Sequence, residues 1–205
     1  MVGLIIFSYL VGSFPTAFVI GRLLGRPDIT TLGDGNVGAQ NVVRSYGLKF
    51  GLIVFAIDAL KGAAVVVAAS SLLGSLAAEL WAGTACVIGH TWSIYLRFRG
   101  GRGEATAIGV LTTLIPLPMI ISGAFAMGTL ILTKNVIKTT AVLLVPLSPF
   151  CLLTGVSRQL TIYSVTLPVI LGLIFLIKEH QKVAGSVSET CAQTREEKTL
   201  GPDSC

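Results

Sequence analysis

The chain has 205 residues, of which 53% are hydrophobic and only 12% are charged, and its formal net charge is +5. An average soluble domain carries roughly 25% charged residues, so this composition excludes an ordinary soluble protein and predicts an integral membrane protein. The positive charge does not indicate a nucleic-acid partner, because the cytoplasmic loops of membrane proteins collect Lys and Arg. The four cysteines lack metal-ligand spacing, and we expect neither a metal site nor a disulfide framework.

Apolar segments long enough to cross a bilayer follow one another along the chain. A helix needs about 20 apolar residues to do so. Five segments meet that length: 2–24, 50–73, 76–95, 139–157 and 160–178. The stretch 104–133 is too long for one span and contains Pro116 and Pro118, so we divide it into a short helix at 104–115 and a full one at 117–133. The sequence therefore predicts an all-α membrane protein, a bundle of seven transmembrane helices.

The basic residues predict the orientation of this bundle. With the N-terminus outside and the C-terminus in the cytoplasm, nearly all loop cations face the cytoplasm, as the positive-inside rule expects, and only Arg158 falls outside. No positive charge precedes the first apolar stretch, so we interpret it as a retained span. Residues 181–205 are polar with almost no apolar periodicity, and we expect a membrane domain at 1–180 followed by a disordered cytoplasmic tail.

A glycine-rich polar stretch follows the first span, and it reads GDGNVGAQNVVR at residues 33–44. Its glycines can adopt positive φ and let backbone N–H groups converge on an anion, while its amides and its guanidinium add donors suited to phosphate. The residues concerned are Gly33, Gly35, Asn36, Gly38, Gln40, Asn41 and Arg44. The alternative is an ordinary solvated loop, because glycine and asparagine favour turns.

A second polar loop is expected on the same side of the membrane, and it reads GHTWSIYLRFRGGRGEAT at residues 89–106. Three arginines surround Gly100 and Gly101, and the loop leads into the short helix, whose N-terminal end favours anions. Such a loop can serve simply as a positive-inside anchor. Two glycine-rich loops with arginines on one side favour a binding site for a phosphorylated small molecule.

Three further polar residues fall in or beside apolar segments. Asp58 and Lys61 are three residues apart and share one helix face. They are either a mutually neutralising structural pair or a site in which Asp58 holds Lys61 toward a phosphate. His90 lies just ahead of the arginine loop and is either an interfacial structural residue or a hydrogen-bonding group of the site.

The motifs GSFPTAFVIGRLLG, GDGNVGAQNVVR, DALKG and GH-x9-GGRG-x2-AT occur in that order. In this order they resemble the PlsY family, bacterial membrane glycerol-3-phosphate acyltransferases that use acyl phosphate. The resemblance implies a seven-helix fold of the inner membrane with the motif loops on the cytoplasmic side. It also implies transfer of an acyl group to the 1-hydroxyl of glycerol 3-phosphate, giving lysophosphatidic acid and phosphate. Glycerol 3-phosphate, acyl phosphate and membrane lipid are the implied partners, with no cofactor and no obligate protein partner.

The residues and the resemblance together predict a polar site. Catalytic roles are expected for Asn36, Lys61 and His90. We expect Arg44 and Arg102 to bind phosphate. The full set of expected substrate contacts is Asp34, Gly35, Gly38, Gln40, Asn41, Arg44, Arg99, Gly100, Gly101, Arg102, Thr140 and His180.

This chain departs from the family pattern at several positions. Asp34 and Gln40 replace a serine and a threonine, and Val183 stands where the family has an asparagine. A carboxylate beside a phosphate should repel it unless Asp34 turns toward an arginine such as Arg44. Two other functions therefore stay open: a diverged relative that binds a phosphorylated ligand without acyl transfer, and a small transporter.

Overall fold

The computed structural model describes the backbone of residues 1–199 and the side chains of residues 1–180. The regular structure in this part of the chain is helical throughout. The α-helices are α1 (Val2–Ser13), α2 (Thr16–Leu23), α3 (Ala39–Tyr46), α4 (Leu48–Leu73), α5 (Leu76–Thr91), α6 (Glu104–Leu114), α7 (Pro116–Thr133), α8 (Val136–Leu144), α9 (Leu147–Leu153) and α10 (Arg158–Thr199). Two short 3-10 helices lie at Ile29–Thr31 and Ile94–Leu96. The predicted all-α class is confirmed.

The number of helices that can cross a membrane is lower than the predicted seven. Among the described residues, four segments are long and apolar enough, namely Leu48–Leu73, Pro116–Thr133, Val136–Leu153 and Arg158–His180. The pair α1 and α2 makes a fifth if its two helices, bent by 40°, count as one span. The shortfall comes from α5 and α6, which have 16 and 11 residues and are shorter than a straight bilayer crossing requires.

Proline residues set the helix breaks. The predicted division at Pro116 is confirmed, because α6 ends at Leu114 and Pro116 is the first residue of α7. The expected single span 2–24 is interrupted, since Pro15 has no N–H to donate and restricts the backbone of Phe14 before it. Pro146 likewise separates α8 from α9.

Glycine residues allow the central helices to approach closely. A Cβ atom on Gly12 or Gly89 would collide with the backbone of the other helix in the α1–α5 pair, and the same holds for Gly62 and Gly109 in the α4–α6 pair. Small residues of this kind are typical of helix contacts in membranes. Large apolar side chains remain exposed on the outer faces, up to 85% for Leu132, as a protein surrounded by lipid requires.

The chain divides into two units, Met1–Leu171 and Gly172–Cys205. The first contains the apolar core and both polar loops. In the second, the backbone is helical as far as Thr199, where the sequence predicted a disordered tail from 181. Residues 181–199 include Ala, Gln, Glu, Lys and Arg, which favour helix. The predicted domain boundary at 180 stays a prediction, and the end of the predicted tail, 200–205, lies outside the described residues.

Candidate anion-binding site

The Asn41 side chain holds the first polar loop in place through hydrogen bonds to its backbone. Its side chain is buried, and its Nδ2 donates to the backbone carbonyl groups of Leu32 at 2.9 Å and Asn36 at 3.0 Å, with a longer contact of 3.3 Å to that of Ile29. Gly33 has a φ of +59° and packs against Asn41 so closely that a Cβ there would collide with its Oδ1. The sequence predicted that Asn41 contacts substrate. In the structure its buried side chain supports the loop, and the substrate contact stays a prediction.

Asp34 is directed toward arginines from both polar loops. Its Oδ1 accepts the Asn36 N–H at 3.2 Å. Its Oδ2 lies 3.9 Å from an Arg44 nitrogen and 3.5 Å from an Arg102 nitrogen. Arg44 belongs to α3 and Arg102 to the second loop, so one carboxylate brings the two loops together. Asp34 therefore turns toward Arg44, the arrangement that the sequence analysis gave as the condition for a carboxylate beside a phosphate site.

A second carboxyl group lies on the other side of Arg102. Glu104, the first residue of α6, interacts with the Arg102 guanidinium and with the Thr140 hydroxyl of α8. Thr140 thereby lies beside Glu104, and its expected substrate contact stays a prediction. We refer to Asp34, Arg44, Arg102 and Glu104 as the loop cluster. Sequence reasoning missed the part played by Glu104, although a carboxylate two residues from an arginine was a usable signal.

The glycine pair of the second loop packs against the end of α5. The Gly100 N–H donates to the Thr91 carbonyl at 3.1 Å, and the Gly101 N–H donates to the His90 carbonyl at 3.0 Å. A Cβ on either glycine would collide with His90. These amides are used within the fold, and the Gly35 N–H is also used, donating to a carbonyl of its own loop at 2.9 Å. The glycines therefore allow close packing, and the Gly35 N–H, which was expected to converge on an anion, bonds within its own loop. The substrate contacts of these three glycines stay predictions.

The other predicted contacts are placed as follows. Gly38 has a φ of −104°, not the positive value expected, and begins α3. Asn36 and Gln40 are half-buried, while Arg99 is exposed on the second loop. His180 is exposed in the second unit. The substrate contacts of these residues stay predictions.

A second group of charges lies inside the helices, and we call Thr16, Asp58, Lys61 and His90 the buried cluster. Lys61 Nζ lies 2.9 Å from Asp58 Oδ1, which also accepts from Thr16 Oγ1 at 2.8 Å and lies 3.8 Å from His90 Nδ1. Lys61 also donates to the Phe14 carbonyl at 3.1 Å, at the break between α1 and α2. The same carbonyl accepts the Thr16 N–H at 3.0 Å, so Lys61 adds a second donor at the helix break. The contacts therefore support the structural alternative for Lys61, where a catalytic role was predicted.

Two cavities border the loops. A cavity of about 10 Å³, room for one water molecule, lies between Val37 of the first loop and His90 with the glycine pair of the second. A larger one, of about 230 Å³, is lined by Phe18, Gly21, Arg22, Arg26, Pro27, Asp28 and Tyr46. The Tyr46 hydroxyl donates to the Pro27 carbonyl at 2.6 Å. Burial, and next the negative charge of Asp28, raise the pKa of Tyr46, which keeps this donor protonated.

Among the described residues, no group of three or more His, Cys, Asp and Glu is arranged to hold a metal.

The fold and the loop cluster define an all-helical membrane protein in which two loops bring arginines to one anion. The sequence model for glycerol-3-phosphate acyltransferase matches residues 2–188, and the chain belongs to this family. It is 40% identical over 177 residues, 86% of this chain and 96% of the relative, to glycerol-3-phosphate acyltransferase 4 of Dehalococcoides mccartyi. It is 45% identical over 115 residues, 56% of this chain and 59% of the relative, to glycerol-3-phosphate acyltransferase 2 of Moorella thermoacetica.

A solved structure has the same fold. The crystal structure of PlsY (YgiH), an integral membrane glycerol 3-phosphate acyltransferase, in its glycerol 3-phosphate form, superposes with a TM-score of 0.76 at 28% identity and covers 92% of each chain. Its lysophosphatidic acid form gives a TM-score of 0.75 at 29% identity, again with 92% of each chain covered. The family resemblance carried by the motif order is confirmed, and the chain is an integral membrane protein.

Proposed function

We propose that this protein transfers an acyl group from acyl phosphate to the 1-hydroxyl of glycerol 3-phosphate, forming lysophosphatidic acid and inorganic phosphate for phospholipid synthesis. The observation that supports it most is the approach of Arg44 and Arg102, from two separate loops, to a single carboxylate. A phosphate group has the charge and shape to take the place of that carboxylate. Membership of the acyltransferase family gives the reaction class.

The chemistry needs two anions held side by side. The 1-hydroxyl oxygen attacks the acyl carbonyl carbon, the bond from that carbon to the phosphate oxygen breaks, and the hydroxyl proton passes to a phosphate oxygen. Holding the reactants in contact and stabilising the charge on the departing phosphate supply most of the acceleration. Guanidinium groups suit both tasks, because they stay charged and bind phosphate oxygens in pairs.

In this proposal some residues contact the substrates and others support the loops that hold those residues. Arg44 and Arg102 bind phosphate, and Asn36 orients glycerol 3-phosphate. His90 positions the second loop, because its imidazole packs against Gly101. Further substrate contacts are proposed for Gly35, Gly38, Gln40, Arg99, Gly100, Thr140 and His180. Asn41 and Lys61 support the loop and the helix break.

The proposed topology has seven membrane segments, with the N-terminus outside and the site facing the cytoplasm of a bacterial inner membrane. The segments are α1–α2, α4, α5, α6, α7, α8–α9 and α10. A helix too short to cross alone is tolerated when neighbouring helices cover it, and most of α6 is buried. Single cysteines near Lys49 and Arg158 should react with an impermeant thiol reagent from the cytoplasmic and the outer side, respectively, and labelling of both from one side would contradict the topology.

The activity is tested by reconstituting the purified protein in lipid and supplying palmitoyl phosphate. Phosphate release should depend on glycerol 3-phosphate, and mass detection should find lysophosphatidic acid in equal amount. Wild-type protein that is folded, yet forms no lysophosphatidic acid, would refute the proposal.

A second candidate is a relative that binds a phosphorylated ligand without acyl transfer. The departure that motivates it is Asp34, a carboxylate between the two arginines where the family has a serine. Under that alternative glycerol 3-phosphate binds, and palmitoyl phosphate is not consumed. Uptake of labelled glycerol 3-phosphate into proteoliposomes without product would instead indicate a transporter.

A further inference from the structure

Asp34 occupies the place in the loop cluster where a phosphate is expected. One carboxylate oxygen, Oδ1, is fixed by the Asn36 N–H at 3.2 Å, and this contact directs Oδ2 toward Arg44 and Arg102. The Asp34 side chain is only 11% exposed, so the carboxylate lies within the site and not on its rim. The protein therefore carries an anion of its own between its two phosphate-binding arginines.

The contacts of this internal anion are long enough to be exchanged. Its Oδ2 lies 3.5 Å from Arg102 and 3.9 Å from Arg44, whose side chain is 56% exposed. Charge-assisted hydrogen bonds of a tight guanidinium–carboxylate pair are about 2.7–2.9 Å long, so both contacts are longer than a tight pair. The Arg44 pair reaches solvent, and such pairs contribute about 1 kcal/mol or less. The Arg102 side chain is 16% exposed, and length alone loosens its contact. Asp34 therefore neutralises the arginines without binding them tightly.

The formal charges of the loop cluster balance, with two arginines facing the carboxyl groups of Asp34 and Glu104. An incoming phosphate meets a strong positive field only when one carboxylate moves away. A phosphate monoester carries a charge of about −1.5 to −2 at neutral pH, more than one carboxylate does, and it can bind two guanidinium groups at once. It therefore displaces the carboxylate.

We propose that Asp34 is an internal competitor for the phosphate site, released from Arg44 and Arg102 each time a substrate phosphate binds and returned to them as product phosphate leaves. This proposal rests on the proposed function in taking the arginine pair as the phosphate site. Because one displacement precedes every binding event, all phosphate ligands of the pair lose affinity by the same factor. The residue sets how tightly the site holds both its substrate and its inorganic phosphate product.

Removal of the negative charge tests this competition. Asp34→Asn retains the Oδ1 acceptor for Asn36 and the side-chain shape, and Asp34→Ser retains an oxygen in a smaller side chain. Asp28→Asn is the matched control, because Asp28 caps its own turn in the same way, accepting the Thr30 N–H at 2.9 Å, and has no ion pair to the loop cluster. Each variant removes one negative charge from the same loop region.

Binding is measured by calorimetry in detergent with glycerol 3-phosphate and with inorganic phosphate, and lysophosphatidic acid formation is measured in parallel. Both Asp34 variants should bind both ligands about fivefold more tightly, a factor in the range of weak ion pairs, whereas Asp28→Asn should match the wild type. Equal or weaker binding in both folded Asp34 variants would overturn the competition, as would no binding by any protein. Tighter binding without product would refute only the acyl transfer.

Discussion

The two charged clusters of this protein both place an aspartate among cations, yet they differ in distance and in exposure. Asp58 is 1% exposed and lies 2.9 Å from Lys61. Asp34 lies 3.5 Å from Arg102 and 3.9 Å from Arg44, whose side chain is 56% exposed. A short buried pair cannot lose one partner without leaving a charge in an apolar interior. The pairs of Asp34 are longer, and one of them, to Arg44, reaches solvent, so this carboxylate can exchange more easily. Distance and exposure thus separate the charges that hold the fold from those proposed to bind ligand.

The largest effect on stability is expected when the carboxylate of Asp58 is removed from the buried cluster. Asp58→Ala should lower the free energy of unfolding by about 3–5 kcal/mol, because Lys61 is left buried without its counter-ion. For a chain of this size, the midpoint of thermal unfolding in detergent should then fall by about 10 °C. The double variant Asp58→Ala with Lys61→Met removes both charges and should recover part of the loss. A single variant as stable as the wild type would show that the buried pair does not hold the fold.

The next largest effect falls on activity and leaves stability alone. Arg102→Ala and Arg44→Ala should each reduce kcat/KM at least about 100-fold, equal to about 2.7 kcal/mol of transition-state stabilisation, with an unchanged unfolding midpoint. Lys49→Ala serves as a control, since Lys49 is an exposed cation that lies outside both clusters. Near-normal turnover in either arginine variant would remove that arginine from the site.

An intermediate effect is expected at Asn41, whose buried amide supports the first polar loop. Asn41→Ala leaves carbonyl groups of the first loop without their donor and should lower the free energy of unfolding by about 2 kcal/mol. The loosened loop should also raise the KM for glycerol 3-phosphate. Asn135→Ala, which removes the cap of α8, is the control. It should lower stability slightly and leave KM unchanged, and a matching rise in KM would mean that the Asn41 effect is not local.

The smallest effect tests the contact between the second loop and His90. Gly101→Ala adds a Cβ against the imidazole and should lower the free energy of unfolding by about 1 kcal/mol, with a larger fractional loss of turnover than of stability. Gly128→Ala is the matched control, because a Cβ at Gly128 meets nothing within 4 Å. Equal turnover in the two glycine variants would rule out a positioning role for His90.

The features that could be predicted from the sequence depend on neighbouring residues. The helix class follows from the long apolar runs, and the division at Pro116 follows from the missing N–H of proline. The turn of Asp34 toward Arg44 follows from charge and short spacing. The family follows from the order of the motifs.

The features that could not be predicted depend on contacts between distant parts of the chain. The role of Lys61 depends on the Phe14 carbonyl, which lies at a helix break 47 residues earlier in the chain. The close packing of Gly100 and Gly101 depends on the second loop folding back on the end of α5. The length of α5 depends on the turn that follows Thr91, which the apolar residues Trp92, Ile94 and Tyr95 beyond it conceal. In each case the role of a residue is decided by a contact with a residue that the local sequence does not reveal.

The most direct test of this account is a crystal structure of the protein with glycerol 3-phosphate. We predict that the phosphate group lies in contact with both Arg44 and Arg102 and that the Asp34 carboxylate has moved away from them, while Asp58 and Lys61 keep their contact. A phosphate bound elsewhere, with the Asp34 contacts to Arg44 and Arg102 intact, would contradict the assignment of the loop cluster as the substrate site.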